Sequence, residues 1–283
     1  MTYQLTPEQM QQYREEGYIV LRGIIPLEQV EAHKDGINAI MDGVLAGNGL
    51  EIPWINRDRR IPERLGKLLR PGWIHPAFIE AIENGPYLDL AAQVLGTPVR
   101  YSLFGMLAGG DGKPYIQNWH RDLAPVGEAD EEAVIIGGNY LYTQINAPLF
   151  PDRYVTIVPR SHLRASTAEE LQAINDNPTG DMPGQMTVEM EPGDVAFYYS
   201  NIWHRGFNPE GKLRWTMHHA FVRGDAPVFL HESGQADWIS EPGYLESLPP
   251  RMRSFMQGYL DAAAQEPQSF YDVAKATYEK GQH

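Results

Sequence analysis

Six short runs decide the fold: Val99–Leu107 (VRYSLFGML), Pro114–Leu123 (PYIQNWHRDL), Glu132–Ile145 (EAVIIGGNYLYTQI), Arg153–Pro159 (RYVTIVP), Gln185–Tyr199 (QMTVEMEPGDVAFYY) and Leu213–Val222 (LRWTMHHAFV). Each is rich in β-branched and aromatic residues and is bounded by Gly, Pro or Asp turn signals. Strands at this spacing, with no helical pattern between most of them, read as a β-sandwich or barrel rather than as βαβ units.

The texture differs on either side. Thr6, Pro7 and Gln9 mark a helix start, with a capping hydroxyl, Pro at the first helical position and an amide three residues after the cap; Gly17 stops that helix. Tyr18-Ile19-Val20-Leu21 reads as a strand. Pro26 to about Ala46 has apolar residues near helical spacing, residues 50–72 read as a Pro- and Arg-rich loop, and residues 76–95 read as a helix ending at Gly96. Helix returns from about Pro249. The expected fold class is mainly β with flanking helices, in one domain: a helical and loop-rich part over about 1–98, a β-barrel core over about 99–225, and a C-terminal loop and helix over about 226–283.

Composition narrows the chemistry. The 283 residues carry 23 Lys plus Arg against 37 Asp plus Glu, a formal net charge of −14. Such a chain repels phosphate backbones and anionic membrane surfaces, so neither nucleic acid nor a membrane is an expected partner. It contains no cysteine, which removes thiolate ligands and thiol nucleophiles and leaves His, Asp and Glu to hold any metal. With no transmembrane-length apolar run and no signal-peptide core at the N-terminus, the expected location is the cytoplasm. A homodimer through the outer helices or loops is compatible with the sequence, which carries no specific signal for it.

The strongest local signal is Gln117-Asn118-Trp119-His120-Arg121-Asp122-Leu123. In an extended segment alternate side chains share a face, so His120 and Asp122 point one way and Trp119 and Arg121 the other. By the same parity Asn118 shares the metal face, where it either touches a co-substrate or fills a polar core position. An isolated His-x-Asp pair is common on protein surfaces; the context gives this one its weight. The turn Glu191-Pro192-Gly193-Asp194 starts a strand that delivers His204 soon afterwards. Two histidines and one carboxylate on one face of an ion leave the opposite face open, the arrangement of iron(II) oxygenases. Zinc hydrolysis at the same ligands is the chemical rival. Arg214 follows His204 by ten residues. Its planar guanidinium can clamp the far carboxylate of a dicarboxylate co-substrate in a way lysine cannot. Along the strand that Arg214 opens, Thr216 and His218 share its face while Trp215, Met217 and His219 share the other. His218 then either lines the pocket or sits as a hydrogen-bonded core histidine.

Taken together these segments resemble the phytanoyl-CoA dioxygenase (PhyH-like) family of iron(II)- and 2-oxoglutarate-dependent oxygenases. The resemblance runs from about Tyr13 to Gly224. It rests on Tyr13–Gly23 as the opening helix-to-strand segment, on Trp119-His120-Arg121-Asp122, on Val158-Pro159-Arg160-Ser161-His162 as the family's "PGSH" turn, on Pro192-Gly193-Asp194 through His204, and on Arg214 in the place of the 2-oxoglutarate arginine. It implies a double-stranded β-helix core of jelly-roll or cupin-like type. It also implies iron(II) on His120, Asp122 and His204, with 2-oxoglutarate and O2 as co-substrates, and oxidation of a small organic metabolite with release of succinate and carbon dioxide. In the family His162 is structural rather than a ligand. Three departures stand out: Arg160 replaces the Gly of the turn, the strand before it (Pro151–Thr156) lacks the glycine-rich approach, and Gly206 stands where a Ser or Thr often helps hold 2-oxoglutarate. Related halogenases replace the carboxylate ligand by a small residue, so Asp122 argues for hydroxylation or another oxidation and against halogenation. Desaturation, epoxidation, rearrangement and endoperoxide formation are alternative outcomes at the same site, and a non-catalytic cupin-like metal-binding protein is an alternative of another class.

Overall fold

The computed structural model describes residues 3–281. The chain opens with helix α1 (Pro7–Glu16), capped by Thr6 in a capping box with Gln9 and closed by Gly17 in the left-handed region. Strand β1 (Tyr18–Leu21) and helix α2 (Leu27–Leu45) follow as the sequence predicts. The expected loop over 50–72 instead carries three short strands, β2 (Trp54–Asn56), β3 (Ile61–Pro62) and β4 (Arg64–Leu65). The expected helix over 76–95 is two, α3 (Pro76–Glu83) and α4 (Tyr87–Leu95). The break falls at Gly85-Pro86, where proline supplies no N–H and glycine sits against the Ala81 carbonyl, with no room for a Cβ. Gly96 caps α4 in the left-handed conformation as expected.

The β region begins with β5 (Val99–Gly109) and the two-residue β6 (Tyr115–Ile116). The run Glu132–Ile145 is not one strand. Its first half is helix α5 (Glu131–Gly138) and only its second half enters β7 (Tyr142–Pro148). Acidic Glu131 and Glu132 in the first turn favour the helix, and the glycines serve packing: a Cβ on Gly137 would lie 1.9 Å from the Ala274 carbonyl oxygen. The remaining elements are β8 (Asp152–Val158), α6 (Ala168–Asp176), β9 (Met186–Met190), β10 (Val195–Tyr198), β11 (Trp203–Asn208), β12 (Arg214–Arg223), α7 (Ala236–Ile239), α8 (Tyr244–Ser247), α9 (Pro250–Ala263) and α10 (Phe270–Glu279).

The strands form two antiparallel sheets, ordered β1-β10-β7-β12-β5-β4 and β6-β11-β8-β9, with β2-β3 as a separate hairpin. Non-sequential neighbours such as β10 beside β7 are the crossovers of a double-stranded β-helix. The large sheet is two-faced. One face carries Trp215, Met217 and Phe221 of β12 and Phe104 of β5 into the main core, against α2, α3, α4 and α9. The other carries Arg214, Thr216 and His218 toward the small sheet, as strand parity predicts. His219, on the helix-packed face, stacks on Phe104 at 3.7 Å.

The Val158–His162 turn locks the first helix to this core. Arg160 adopts the left-handed region with φ 67°, a conformation that glycine takes without cost and an L side chain does not. The His162 Nε2 lies 2.9 Å from the Arg14 carbonyl and its ring stacks on Tyr199. A Cβ on Gly17 would meet the His162 Nδ1 at 2.4 Å, so the turn closes only over glycine. His162 is a packing residue.

Burial pushes His162 and His33 down to about 4 from an ordinary 6.5. Their native forms are neutral while the unfolded chain binds protons below pH 6.5. The stabilisation is therefore complete above pH 6.5 and is lost as the pH falls toward 4, on the order of 2 kcal/mol per histidine at pH 5. The urea midpoint is expected to fall clearly between pH 7 and pH 5; an unchanged midpoint contradicts this assignment.

Candidate metal centre

Parity alone does not explain how the His120 segment meets β11. Tyr115 pairs with Asn208 and Ile116 with Phe207, but His120 pairs with His204. Three residues, 117–119, therefore oppose two, 205–206: a one-residue bulge. The bulge corrects one expectation. Asn118 does not join the metal face; its side chain is exposed, and only its carbonyl takes part, accepting from the His120 Nδ1 at 2.8 Å. Gln117 turns inward instead, its Oε1 2.8 Å from the Gly206 N–H. Beyond the bulge the alternation holds. His120 and Asp122 face the cavity. Trp119 and Arg121 face away, Trp119 donating to the Gly180 carbonyl at 2.8 Å and Arg121 buried against Glu131 at 3.2 Å.

The His120–His204 bridge is a reciprocal pair of backbone hydrogen bonds, each 3.1 Å. It holds the two imidazoles side by side, with ring centroids 4.3 Å apart. Both rings are oriented by the same device. Each Nδ1 lies against the carbonyl two residues earlier, that of Asn118 for His120 (2.8 Å) and of Ile202 for His204 (2.9 Å). A neutral imidazole that donates from Nδ1 presents a lone pair at Nε2. The two Nε2 atoms converge on the Asp122 Oδ1, at 3.4 Å from His120 and 3.6 Å from His204. Cis ligands on one ion about 2.1 Å away stand roughly 3 Å apart, so a small contraction closes this set around a metal. The three ligand atoms lie within 4.8 Å of one another, and theirs is the one group of this kind among the described residues.

Asp122 Oδ2 is engaged separately. The Gln144 amide donates to it, and the Gln144 Oε1 accepts from the Tyr198 hydroxyl at 3.1 Å. Gln144 and Tyr198 are functional neighbours that the sequence did not single out. Parity along β7 and β10 puts them inward but does not say what they touch. Burial raises the Asp122 carboxyl, but the His204 and His120 imidazoles and the hydrogen bonds outweigh it and hold it well below the usual carboxylate range. Burial lowers His204, only partly offset by Asp122. For His120 burial also acts downward, but the hydrogen bond and charge of Asp122 win and raise it. The site thus offers an ionised carboxylate and two imidazoles whose Nε2 atoms converge on it, a donor set that fits iron(II).

The three groups sit in a cavity of about 330 Å³ between the two sheets. Arg214 and His218 line it from β12; Gln117, Tyr115 and Gly206 line it from the small sheet. Arg214 is buried, and its Nε donates to the Asp152 Oδ2 at 3.0 Å. Its Nη2 is buried with no partner, so the guanidinium keeps a donor unsatisfied beside the cavity that Arg214 lines. Thr216 does not reach the cavity. It donates to the same Asp152 oxygen and so supports Arg214 from behind. His218 lines the cavity with its Nδ1 2.8 Å from the Asn146 Oδ1, and burial pushes it down to about 4. His218 is thus at once part of the cavity wall and hydrogen-bonded to a neighbouring strand.

Comparison with known proteins bears on what this arrangement is. A family profile described as "Phytanoyl-CoA dioxygenase (PhyH)" matches residues 13–210. A search of curated proteins finds no match. Among solved structures, AviO1 from Streptomyces viridochromogenes Tue57 is 19% identical, with 78% of this chain and 96% of that one covered and a TM-score of 0.57. EctD from S. alaskensis, with 2-oxoglutarate and 5-hydroxyectoine, is 15% identical over 94% and 86%, with a TM-score of 0.59. The non-heme alpha ketoglutarate dependent carbocyclase SnoK from nogalamycin biosynthesis is 19% identical over 87% and 92%, with a TM-score of 0.56. At these identities the structural likeness speaks for the jelly-roll fold. The profile covers most of the chain and includes both halves of the His-Asp-His group. The chain belongs to the phytanoyl-CoA dioxygenase family and is an iron(II)- and 2-oxoglutarate-dependent oxygenase.

Proposed function

We propose that His120, Asp122 and His204 hold the iron(II), that Arg214 binds the far carboxylate of 2-oxoglutarate, and that the enzyme hydroxylates a small polar organic molecule. The observation that carries this reading is one cavity containing two oriented Nε2 atoms, a carboxylate oxygen within 3.6 Å of both, and a buried guanidinium nitrogen with no partner. When bound, the metal would activate O2, which is the oxidant; 2-oxoglutarate would give up two of the four electrons O2 takes, leaving as succinate and carbon dioxide, and the substrate the other two.

The chain's own residues do the rest. Two neutral imidazoles and one carboxylate leave a divalent ion with a net positive charge, which favours a dianionic co-substrate on its open face. The Tyr198–Gln144 relay occupies one Asp122 oxygen and leaves the other for the metal, fixing the ligand set as three atoms rather than four. Arg214 lies in the same cavity with one prong tied to Asp152, so its orientation is set before a ligand arrives. Gln144, Asn146, Tyr198 and His218 make the wall beyond the metal polar, which supports a hydrophilic substrate rather than an acyl-CoA chain. The net charge of −14 supports a reading without nucleic acid.

The assay is succinate formation from 2-oxoglutarate with iron(II) and O2. His120→Ala, Asp122→Ala and His204→Ala should each abolish it while leaving the circular dichroism spectrum intact; full activity in His120→Ala means the site is elsewhere. A metal-binding scaffold forms no succinate, and a zinc hydrolase needs neither iron nor O2. Gln144→Leu should weaken metal affinity by about 10- to 100-fold, read from the shift in melting temperature with nickel(II) as an inert substitute; an unshifted affinity removes the relay from the account. Arg214→Gln should raise the KM for 2-oxoglutarate by roughly 30-fold or more with little change in metal binding, and an unaltered KM moves the clamp to another residue. Hydroxylation itself is tested by mass gain in the product.

A further inference from the structure

Gly206 is the odd residue of the co-substrate wall. It lies two residues beyond His204 on β11 and offers no side chain, although its position faces the cavity. Its backbone does not require glycine, since its φ lies outside the left-handed range. What excludes a side chain is a neighbour: a Cβ at 206 would meet the Tyr115 Cε1 at 2.4 Å and the Gln117 Oε1 at 2.8 Å. The space above Gly206 is already filled by the segment that bulges over it.

Tyr115 is placed there by backbone pairing. It pairs with Asn208 in β6–β11, and the bulge that follows folds Gln117 down onto the Gly206 N–H. The Tyr115 ring is half-buried and lines the same cavity as Arg214. The cations that act on the phenol are Arg214 and, more weakly, Arg64; burial still dominates and raises the group, so it remains a hydroxyl at neutral pH. Arg214, for its part, has its Nε on Asp152 and its Nη2 without a partner. A carboxylate on this guanidinium has a second oxygen to satisfy, and a neutral hydroxyl is a suitable donor.

Resting on the assignment of Arg214 to 2-oxoglutarate, we propose that the Tyr115 hydroxyl is the second donor to the far carboxylate of 2-oxoglutarate, and that Gly206 is small in order to admit it. Tyr115 and Arg214 line the one cavity from different sheets, so the carboxylate would be gripped from both walls of the barrel. The donor is thereby moved from β11 itself to the strand beside it, and the glycine and the tyrosine form one unit in which neither works without the other.

The test is 2-oxoglutarate binding by calorimetry to the nickel(II)-loaded full-length protein, which needs no turnover and no substrate. Tyr115→Phe removes only the oxygen and is expected to weaken 2-oxoglutarate by about 10-fold or more, the loss of one hydrogen bond to a charged group, with nickel affinity and melting temperature unchanged. Tyr115→Ala opens the space over position 206 and is expected to bind as weakly as Tyr115→Phe. Adding Gly206→Ser to Tyr115→Ala should restore at least a third of the lost affinity on a logarithmic scale, which a merely structural ring would not allow. Unchanged affinity in Tyr115→Phe overturns the proposal, as does a serine that restores nothing. If the unaltered protein binds nickel(II) but not 2-oxoglutarate, the reading of Arg214 fails first, and that result is distinguishable because no variant is needed to see it.

Discussion

Everything in the site depends on the two 3.1 Å hydrogen bonds between the backbones of His120 and His204. They set the spacing of the imidazoles, because directly opposed residues of an antiparallel pair project to the same side within about 5.5 Å of each other. Two further bonds, from each Nδ1 to the carbonyl two residues earlier, convert proximity into aim. Asp122 then needs only the ordinary two-residue alternation to bring its carboxylate between them. A ligand set that joins residues 84 positions apart is thus built almost entirely from backbone geometry, and the side chains add orientation rather than position.

That economy has a cost in the strand that carries it. Regular pairing from Tyr115 onward would put Trp119, not His120, opposite His204. The extra residue in 117–119 restores the required register and turns Trp119 outward, where its indole and the Arg205 guanidinium stack at 4.7 Å. Arg121, one residue on, is buried under a charge that must be neutralised. Glu131 at the start of α5 supplies the countercharge, and the Ser161 carbonyl accepts a hydrogen bond at 2.8 Å. The back of the metal segment is therefore tied to α5 and to the His162 turn, the same turn that closes over Gly17. Helix α1, the turn and the ligand strand behave as one assembly, although no residue of α1 lines the site.

What could be read in the sequence follows this division. Features fixed by period two were legible: His120 with Asp122, and Arg214 with His218 on the face opposite Met217. Features fixed by an irregularity were not. Parity assigned Asn118 to the cavity, and one bulged residue put Gln117 there instead. The Val134-Ile135-Ile136 run looks like strand, and its helical form depends on Gly137 and Gly138 allowing α10 to pack closely, a contact with residues more than 130 positions away. Strand β11 went unseen as an element because its sequence, Trp203–Asn208, is too polar to show a strand pattern. The Tyr198–Gln144 relay was invisible for another reason. Each residue is ordinary in its own strand, and only the register of β7 against β10, which pairs Gln144 with Tyr198, makes them a unit. At Gly206 the sequence shows the absence of a hydroxyl but not the Tyr115 ring that fills its space, because that contact crosses between strands.

The labour is also split between the sheets. The small sheet and its flanking turn supply all three members of the His-Asp-His group, while the large sheet supplies Gln144, Tyr198, Arg214 and His218 to the cavity. The geometry of that group can therefore be kept while the opposing wall varies, because none of its three members comes from β7, β10 or β12. The large sheet is in turn held by its other face, where Met217 and Phe221 pack against the helices. A change in that core, outside the cavity lining, would act on the spacing of the two sheets and hence on the distances from Gln144 to Asp122 and from Arg214 to the His-Asp-His group.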